Sequence, residues 1–286
     1  MANLKGGLIT ALITPFKNDG SIDFDSVDLL VKDQVKKGVE GFVISGTTGE
    51  SPNLSNEEVK NLYLFVKERV PAEVQMIIGA GTNSTHNTIK NVEYYNDLNP
   101  DAFLLATPYY NKPSQSGLFE HFKAVAKASN HDILLYDIPG RSIVEISVET
   151  TLKLSEIPNI IGTKDATGNL EKLSKLKEVL PKEFLLLSGD DESCADFIEQ
   201  GGHGVISVLS HLIPSEMLQS FKGEKNYSQY LELSGLIFAE PNPCPVKSCL
   251  KMMGLIKEDL VRLPLVPTTE ALKEKLTDGL KHLELI

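Results

Sequence analysis

From Leu8 onward the chain alternates short apolar runs with longer segments whose apolar positions recur every three or four residues. Eight runs read as strands: Leu8 to Thr14, Gly41 to Ser45, Val74 to Gly79, Ala102 to Ala106, Ile133 to Tyr136, Asn159 to Thr163, Phe184 to Ser188 and Val205 to Val208. Between them, Phe24 to Lys37, Asn56 to Val70, Gly117 to Ser129 and Leu170 to Leu180 have helical period, as the spacing of Val59, Leu62, Tyr63 and Val66 illustrates. Start signals agree with this reading. Ser55-Asn56-Glu57-Glu58 is a capping pattern, and Pro214-Ser215-Glu216 opens a further helix. Strand and helix repeated eight times without a long linker predict parallel strands joined by crossover helices. Eight such units can close on themselves, so the expected fold is an α/β, (β/α)8 barrel over residues 1–225. Residues 226–286 are expected to form a helical extension, broken at Pro241-Asn242-Pro243-Cys244-Pro245. An open doubly wound sheet fits less well. No GxGxxG follows the first run, and Gly79-Ala80-Gly81 lacks the third glycine.

Composition narrows the class. The 286 residues are 41% hydrophobic and 23% charged, a globular balance. A formal net charge of −11 sets up a field that repels polyphosphates, which disfavours nucleic-acid binding. No stretch offers the ~18 consecutive apolar residues of a membrane span. Met1 to Gly7 contains Lys5 and no apolar core of signal-peptide length, so a cytoplasmic location is expected. Cys194, Cys244 and Cys249 are unevenly spaced and form no CxxC pair, which suits a reducing compartment and suggests neither disulfides nor a zinc site. Cys244, between two prolines, reads as a small core residue. The six histidines show no HxH or HExxH spacing, and only His203 and His211 flank a strand, so no catalytic metal is expected. There is no GxSxG elbow. Asp190-Asp191 could hold Mg²⁺, but a carboxylate pair opening a helix is also ordinary favourable charge at an N-terminus, and that reading is preferred.

In a barrel of this kind, chemistry belongs on the loops that follow the strands. The second strand is followed by Gly46-Thr47-Thr48-Gly49-Glu50-Ser51, and the fourth by Pro108-Tyr109-Tyr110-Asn111-Lys112-Pro113. The fifth runs into Tyr136-Asp137-Ile138-Pro139-Gly140-Arg141, the sixth into Thr163-Lys164-Asp165-Ala166-Thr167-Gly168, and the seventh into Ser188-Gly189. Lys164 is the most informative of these. Its stem is expected to start inside the barrel, where burial disfavours the ammonium and leaves an amine able to attack a ketone. The protonated imine that results is an electron sink, which lets a neighbouring carbon lose a proton and become a nucleophile. The competing reading is a lysine paired with Asp165 or another acid at the rim. Tyr136, at the end of the neighbouring strand, could pass a proton through Thr47 and Tyr110, or could be a core tyrosine with a satisfied hydroxyl. Arg141 could clamp a carboxylate or make a surface pair.

Taken together, Gly46-Thr47-Thr48-Gly49-Glu50, the Pro108 to Pro113 segment, Tyr136 with Pro139 and Arg141, and Gly162-Thr163-Lys164-Asp165-Ala166-Thr167-Gly168 resemble the pyruvate-dependent class I aldolase family. The likeness runs from about Gly7 to the C-terminal helices. The paired threonines and Arg141 look most like its dihydrodipicolinate synthase branch and less like its N-acetylneuraminate lyases. The resemblance implies that Lys164 forms a Schiff base with pyruvate, and that Thr48 and the backbone around Ile206 hold the pyruvate carboxylate. It implies a proton relay of Tyr136, Thr47 and Tyr110, with Tyr110 supplied by a neighbouring subunit. Gly189 would line the substrate site, and Arg141 would position the carboxylate of L-aspartate 4-semialdehyde. No metal or organic cofactor is implied, and the active unit would be a homodimer at least, usually a tetramer. Two rivals stand beside this reading: a 2-keto-3-deoxy sugar acid aldolase of the same family, and a keto-acid-binding barrel without turnover.

Two departures from the family pattern stand out. Ser142-Ile143 replaces the Thr-Gly often found after the arginine. In lysine-inhibited members the positions matching Asn56, Val59 and Asn87 commonly carry histidine, histidine and glutamate, while Ser51, Asn83 and Tyr109 are kept here. Loss of a carboxylate partner for an ammonium removes a charge-assisted bond of roughly 1.5–3 kcal/mol, so weak or absent lysine inhibition is expected.

Overall fold

The computed structural model describes residues 4–286. The reading of the first seven residues as lacking a signal peptide falls partly outside these, since Met1, Ala2 and Asn3 are not described. In chain order the elements are β1 (Gly7–Ala11), α1 (Phe24–Lys36), β2 (Gly41–Ile44), α2 (Asn56–Lys67), β3 (Gln75–Gly79), α3 (Thr85–Tyr95), β4 (Ala102–Ala106), α4 (Gln115–Ala128), β5 (Asp132–Asp137), α5 (Pro139–Ser142), α6 (Val148–Ser155), β6 (Ile160–Asp165), α7 (Leu170–Val179), β7 (Leu185–Ser188), α8 (Cys194–Glu199), β8 (Gly204–Ser207), α9 (Pro214–Phe221), α10 (Leu231–Ile237), α11 (Cys244–Met252) and α12 (Glu270–His282). The eight strands form a closed barrel in sequential order, as the alternating pattern predicts. All eight strand runs read from the sequence are strands.

Local chemistry explains the helix starts. Ser55 accepts from the Glu58 amide while the Glu58 side chain accepts from the Ser55 amide, the reciprocal cap expected from the sequence. Asp23, Ser84, Ser114, Ser147, Asn169 and Thr269 cap six further helices through side-chain oxygens. Two boundaries differ instructively from the apolar runs. β1 stops at Ala11, because the Ile13 amide donates to His211 Nε2 (3.1 Å) and the Thr14 hydroxyl to the Gly49 carbonyl (2.8 Å), taking the chain out of the ladder. β6 continues through the polar Lys164 and Asp165, which pair with Tyr136 and Asp137 of β5. Asp190-Asp191 does not open a helix: α8 starts at Cys194, and Asp190 Oδ2 accepts from the Ser193 amide and hydroxyl at 2.9 and 2.5 Å in the preceding turn.

The chain divides into two compact units. One comprises the segment ending at Gly7 together with Gln75–Ile206, and the other Leu8–Val74 with Ser207–Ile286. In the first, β4 to β7 are joined in parallel register and buried over most of their length. Gly162 is required there, because a Cβ would meet the Leu185 carbonyl oxygen at 2.6 Å. The second unit contains α10 to α12, the three helices after Lys225. Pro245 lies in the first turn of α11, where a missing N–H breaks no helical bond. Cys244, at the start of the same helix, is buried, and burial raises its thiol pKa.

Candidate active site

β5 and β6 lie side by side, and their register sets Tyr136 opposite Lys164. Both side chains are only 6% exposed, and Lys164 Nζ stands 4.2 Å from the centroid of the Tyr136 ring. Among the described residues no carboxylate pairs with Lys164, and the Tyr136 hydroxyl makes no hydrogen bond. Lys164 therefore does not form the rim pair with Asp165. Asp165 points elsewhere, accepting from the Thr167 amide (2.8 Å) and hydroxyl (2.6 Å). The Lys164 stem passes close to Gly189, the residue after β7. A Cβ on Gly189 would meet Lys164 Cε at 2.8 Å and Cγ at 3.0 Å, so glycine leaves room for the lysine to pass. A buried, unpaired amine beside a phenol is suited to attack a carbonyl carbon and exchange protons with the product.

Other residues singled out in the sequence occupy distinct positions in this unit. Arg141 lies in the one-turn helix α5, four residues beyond β5, exposed and without an ion-pair partner among the described residues. Its turn is fastened by Ser142, whose Oγ accepts from Thr107 Oγ1 at 2.7 Å and lies 2.9 Å from the Ile138 and Val144 carbonyls. Ser142 thus keeps a hydroxyl with structural use. Ile143 ends α5 at φ 69°, a left-handed conformation that a β-branched residue adopts at a cost, and is 62% exposed. Ile206 is buried in β8. Tyr110 is not packed against Lys164: it adopts φ 74° and is 86% exposed. The neighbouring Asn111 side chain donates to the Asn83 carbonyl at 2.8 Å and ties this loop to the one after β3.

The Gly46 to Ser51 loop belongs to the other unit. It closes through hydrogen bonds from the Gly49 and Ser51 amides to the Gly46 carbonyl (3.1 and 3.2 Å) and from the Glu50 amide to the Thr47 carbonyl (3.0 Å). Thr48 is buried and accepts from the Asn242 side chain at 2.9 Å. Glu50, in a left-handed conformation, meets Lys247 of α11 at 2.5 Å, with both side chains fully buried. Sequence reasoning missed this anchor. Its signal is a single lysine inside the apolar run Cys244-Pro245-Val246-Lys247-Ser248-Cys249-Leu250, every member of which is buried.

The two histidines flanking β8 are structural. His203 Nδ1 accepts from the Leu186 amide at 3.0 Å. His211 Nε2 accepts from the Ile13 amide, which leaves Nδ1 to donate to the Val208 carbonyl at 2.8 Å. Burial lowers its pKa to about 4. Among the described residues no group of three or more His, Cys, Asp or Glu side chains is placed to hold a metal ion. Nor is any helix of the described residues long and apolar enough to cross a membrane.

Comparison with known proteins adds a second line of support. Residues 4–283 match the Dihydrodipicolinate synthetase family. The 4-hydroxy-tetrahydrodipicolinate synthase of Bdellovibrio bacteriovorus is 43% identical over 275 residues, covering 93% of each chain. A dihydrodipicolinate synthase from Acinetobacter baumannii, described as chloride inhibited and complexed with pyruvate, superposes with a TM-score of 0.95 at 37% identity, covering 99% of this chain and 100% of that one. A structure described as the first monomeric dihydrodipicolinate synthase variant superposes with a TM-score of 0.94 at 36% identity, covering 98% and 97% of the two chains.

Proposed function

The chain belongs to the dihydrodipicolinate synthetase family, and on that premise we propose that it is a 4-hydroxy-tetrahydrodipicolinate synthase, condensing pyruvate with L-aspartate 4-semialdehyde through an imine on Lys164. One observation carries the assignment of the nucleophile. Lys164 is buried, has no acidic partner among the described residues and lies 4.2 Å from the Tyr136 ring.

The amine of Lys164 adds to the ketone of pyruvate and water leaves, giving a protonated imine. Loss of a methyl proton forms the enamine, whose terminal carbon bonds to the aldehyde carbon of the second substrate as its oxygen takes up a proton. The substrate's own amine then attacks the imine carbon, closing the ring and releasing Lys164. In this scheme Tyr136, Thr47 and Tyr110 move the protons, and Thr48 with the backbone around Ile206 holds the pyruvate carboxylate. Gly189 leaves space for the Lys164 stem, and Arg141 meets the carboxylate of the aldehyde. An exposed, unpaired guanidinium suits that task in a chain whose net charge of −11 repels anions. The 86% exposure of Tyr110 supports a relay completed by a neighbouring subunit, and hence a homo-oligomer. No metal or organic cofactor enters any step. We take residues 1–225 as the catalytic barrel and residues 226–286 as a C-terminal helical extension, in a cytoplasmic enzyme.

A coupled assay with pyruvate and either L-aspartate 4-semialdehyde or glyceraldehyde tests the assignment. Turnover with the semialdehyde alone is expected. Turnover with glyceraldehyde alone would make the chain a sugar acid aldolase, and turnover with neither would leave it a keto-acid-binding barrel.

A further inference from the structure

The residues that follow Tyr136 and Lys164 are both acids, and β5–β6 register sets Asp137 opposite Asp165. Side chains alternate along a strand, so these carboxylates face away from the Tyr136–Lys164 side of the sheet. They are nonetheless 2% and 4% exposed. Into this space α7 delivers Lys172, itself 6% exposed, with Nζ 2.5 Å from Asp137 Oδ2 and 3.8 Å from Asp165 Oδ2. Glu145, from the segment after α5, approaches the same ammonium at 2.9 Å. One cation therefore faces three carboxylates drawn from β5, β6 and that segment. The Ile146 amide donates to Asp137 Oδ2 at 3.1 Å, but Asp137 Oδ1 and Asp165 Oδ2 have no hydrogen-bond partner. Burial pushes Asp137 up to about 6 despite its contact with Lys172. For Lys172, burial opposes the charge but is outweighed by Asp137 and Asp165, which raise its pKa.

Adjacent strands are about 4.8 Å apart, so two buried carboxylates in register repel strongly unless a cation stands between them. We propose that Lys172 is a positioning residue, clamping the C-terminal ends of β5 and β6 together and thereby setting the spacing of Tyr136 and Lys164. This rests on the reading that those two residues perform the chemistry. Lys172 touches neither substrate nor reacting atoms; it acts through the backbone of the two strands.

The test compares wild type with K172M, K172R and K172M/D137N. It measures kcat and KM for pyruvate from pH 6 to 8, with borohydride trapping of pyruvate on wild-type Lys164 as the control for the underlying reading. A displacement of about 1 Å between reacting groups lowers rate by roughly 10²-fold, and K172M is expected to lose kcat on that scale with KM changed less than about threefold. The loss should shrink toward pH 6, where protonation of Asp137 relieves the repulsion. K172M/D137N, which removes one charge with the cation, should recover about tenfold over K172M. K172R, able to span both acids, should stay within about fivefold of wild type. A folded K172M as active as wild type, or a deficit equal at every pH and unrelieved by D137N, overturns the proposal. If K172M does not fold, a folded K172R that has lost about 10²-fold in kcat overturns it equally. Wild type that traps no pyruvate on Lys164 would instead refute the assignment of the nucleophile.

Discussion

Replacing Lys247 with methionine keeps most of the volume of a buried side chain and removes its charge. Lys247 Nζ lies 2.5 Å from Glu50 Oε1, 2.9 Å from the Leu260 carbonyl and 4.4 Å from the centroid of the Phe16 ring. Glu50 Oε2 accepts from the Arg262 amide at 2.9 Å. K247M therefore leaves a fully buried carboxylate with one backbone donor. Removing one partner of such a pair costs about 3–5 kcal/mol, most of it from the charge left behind. In a chain of this size each kcal/mol is worth about 2–4 °C, so Tm should fall by roughly 6–20 °C. E50Q/K247M leaves no isolated charge, and its loss should be at least about 2 kcal/mol smaller than the two single losses added. Because Glu50 closes the loop bearing Thr47 and Thr48, KM for pyruvate should also rise in K247M. Calorimetry on the four proteins at pH 8 decides the matter. A melting point for K247M within about 2 °C of wild type, or strict additivity in the double variant, would refute the reasoning.

G189A places a methyl group 2.8 Å from both Lys164 Cε and Ala166 Cβ and should cost about 10²-fold in kcat/KM together with about 1–3 kcal/mol of stability from overpacking; undiminished activity would show that the lysine does not need that path. His211 takes up its proton near pH 4 when folded and near its ordinary 6.5 when unfolded, so the stability from keeping it neutral is complete above 6.5 and lost as pH falls toward 4. Urea unfolding should show about 2 kcal/mol less stability at pH 5 than at pH 7.5 from this source, and H211N should have a correspondingly shallower slope; an unchanged slope would contradict it. Lysine should not inhibit at sub-millimolar concentration, since Asn87 offers no carboxylate and Val59 is buried at 2% exposure, and half-inhibition in that range would exclude this.

What was legible in the sequence followed periodicity and strand-end position. The alternation of Ile77 and Ile78 with helix faces such as Val59, Leu62 and Val66 foretold the barrel, because each apolar side chain there meets the core its period implies. Lys164 and Tyr136 stood out in the sequence as candidates because chemistry in this fold clusters at strand ends, and the β5–β6 register places them side by side. Lys172 and Lys247 did not, although both occupy core-facing positions of their helices, Lys172 beside Leu173 and Leu176 and Lys247 beside Val246 and Leu250. A lysine on an apolar face has no meaning until its acids are known, and Asp137 and Glu50 lie 35 and 197 residues from their lysines. The helical reading of Asp190-Asp191 failed for a related reason. The pair resembled helix N-terminal charge, while Ser193 uses Asp190 to close a turn before α8 begins.

Treating the purified protein with pyruvate and borohydride, then mapping the modified peptide by mass spectrometry, probes the proposed nucleophile directly. A single pyruvate-derived carboxyethyl group on Lys164, abolished in K164A, is the predicted result. A protein that turns over pyruvate yet carries no adduct, or carries it on another lysine such as Lys172, would contradict the mechanism.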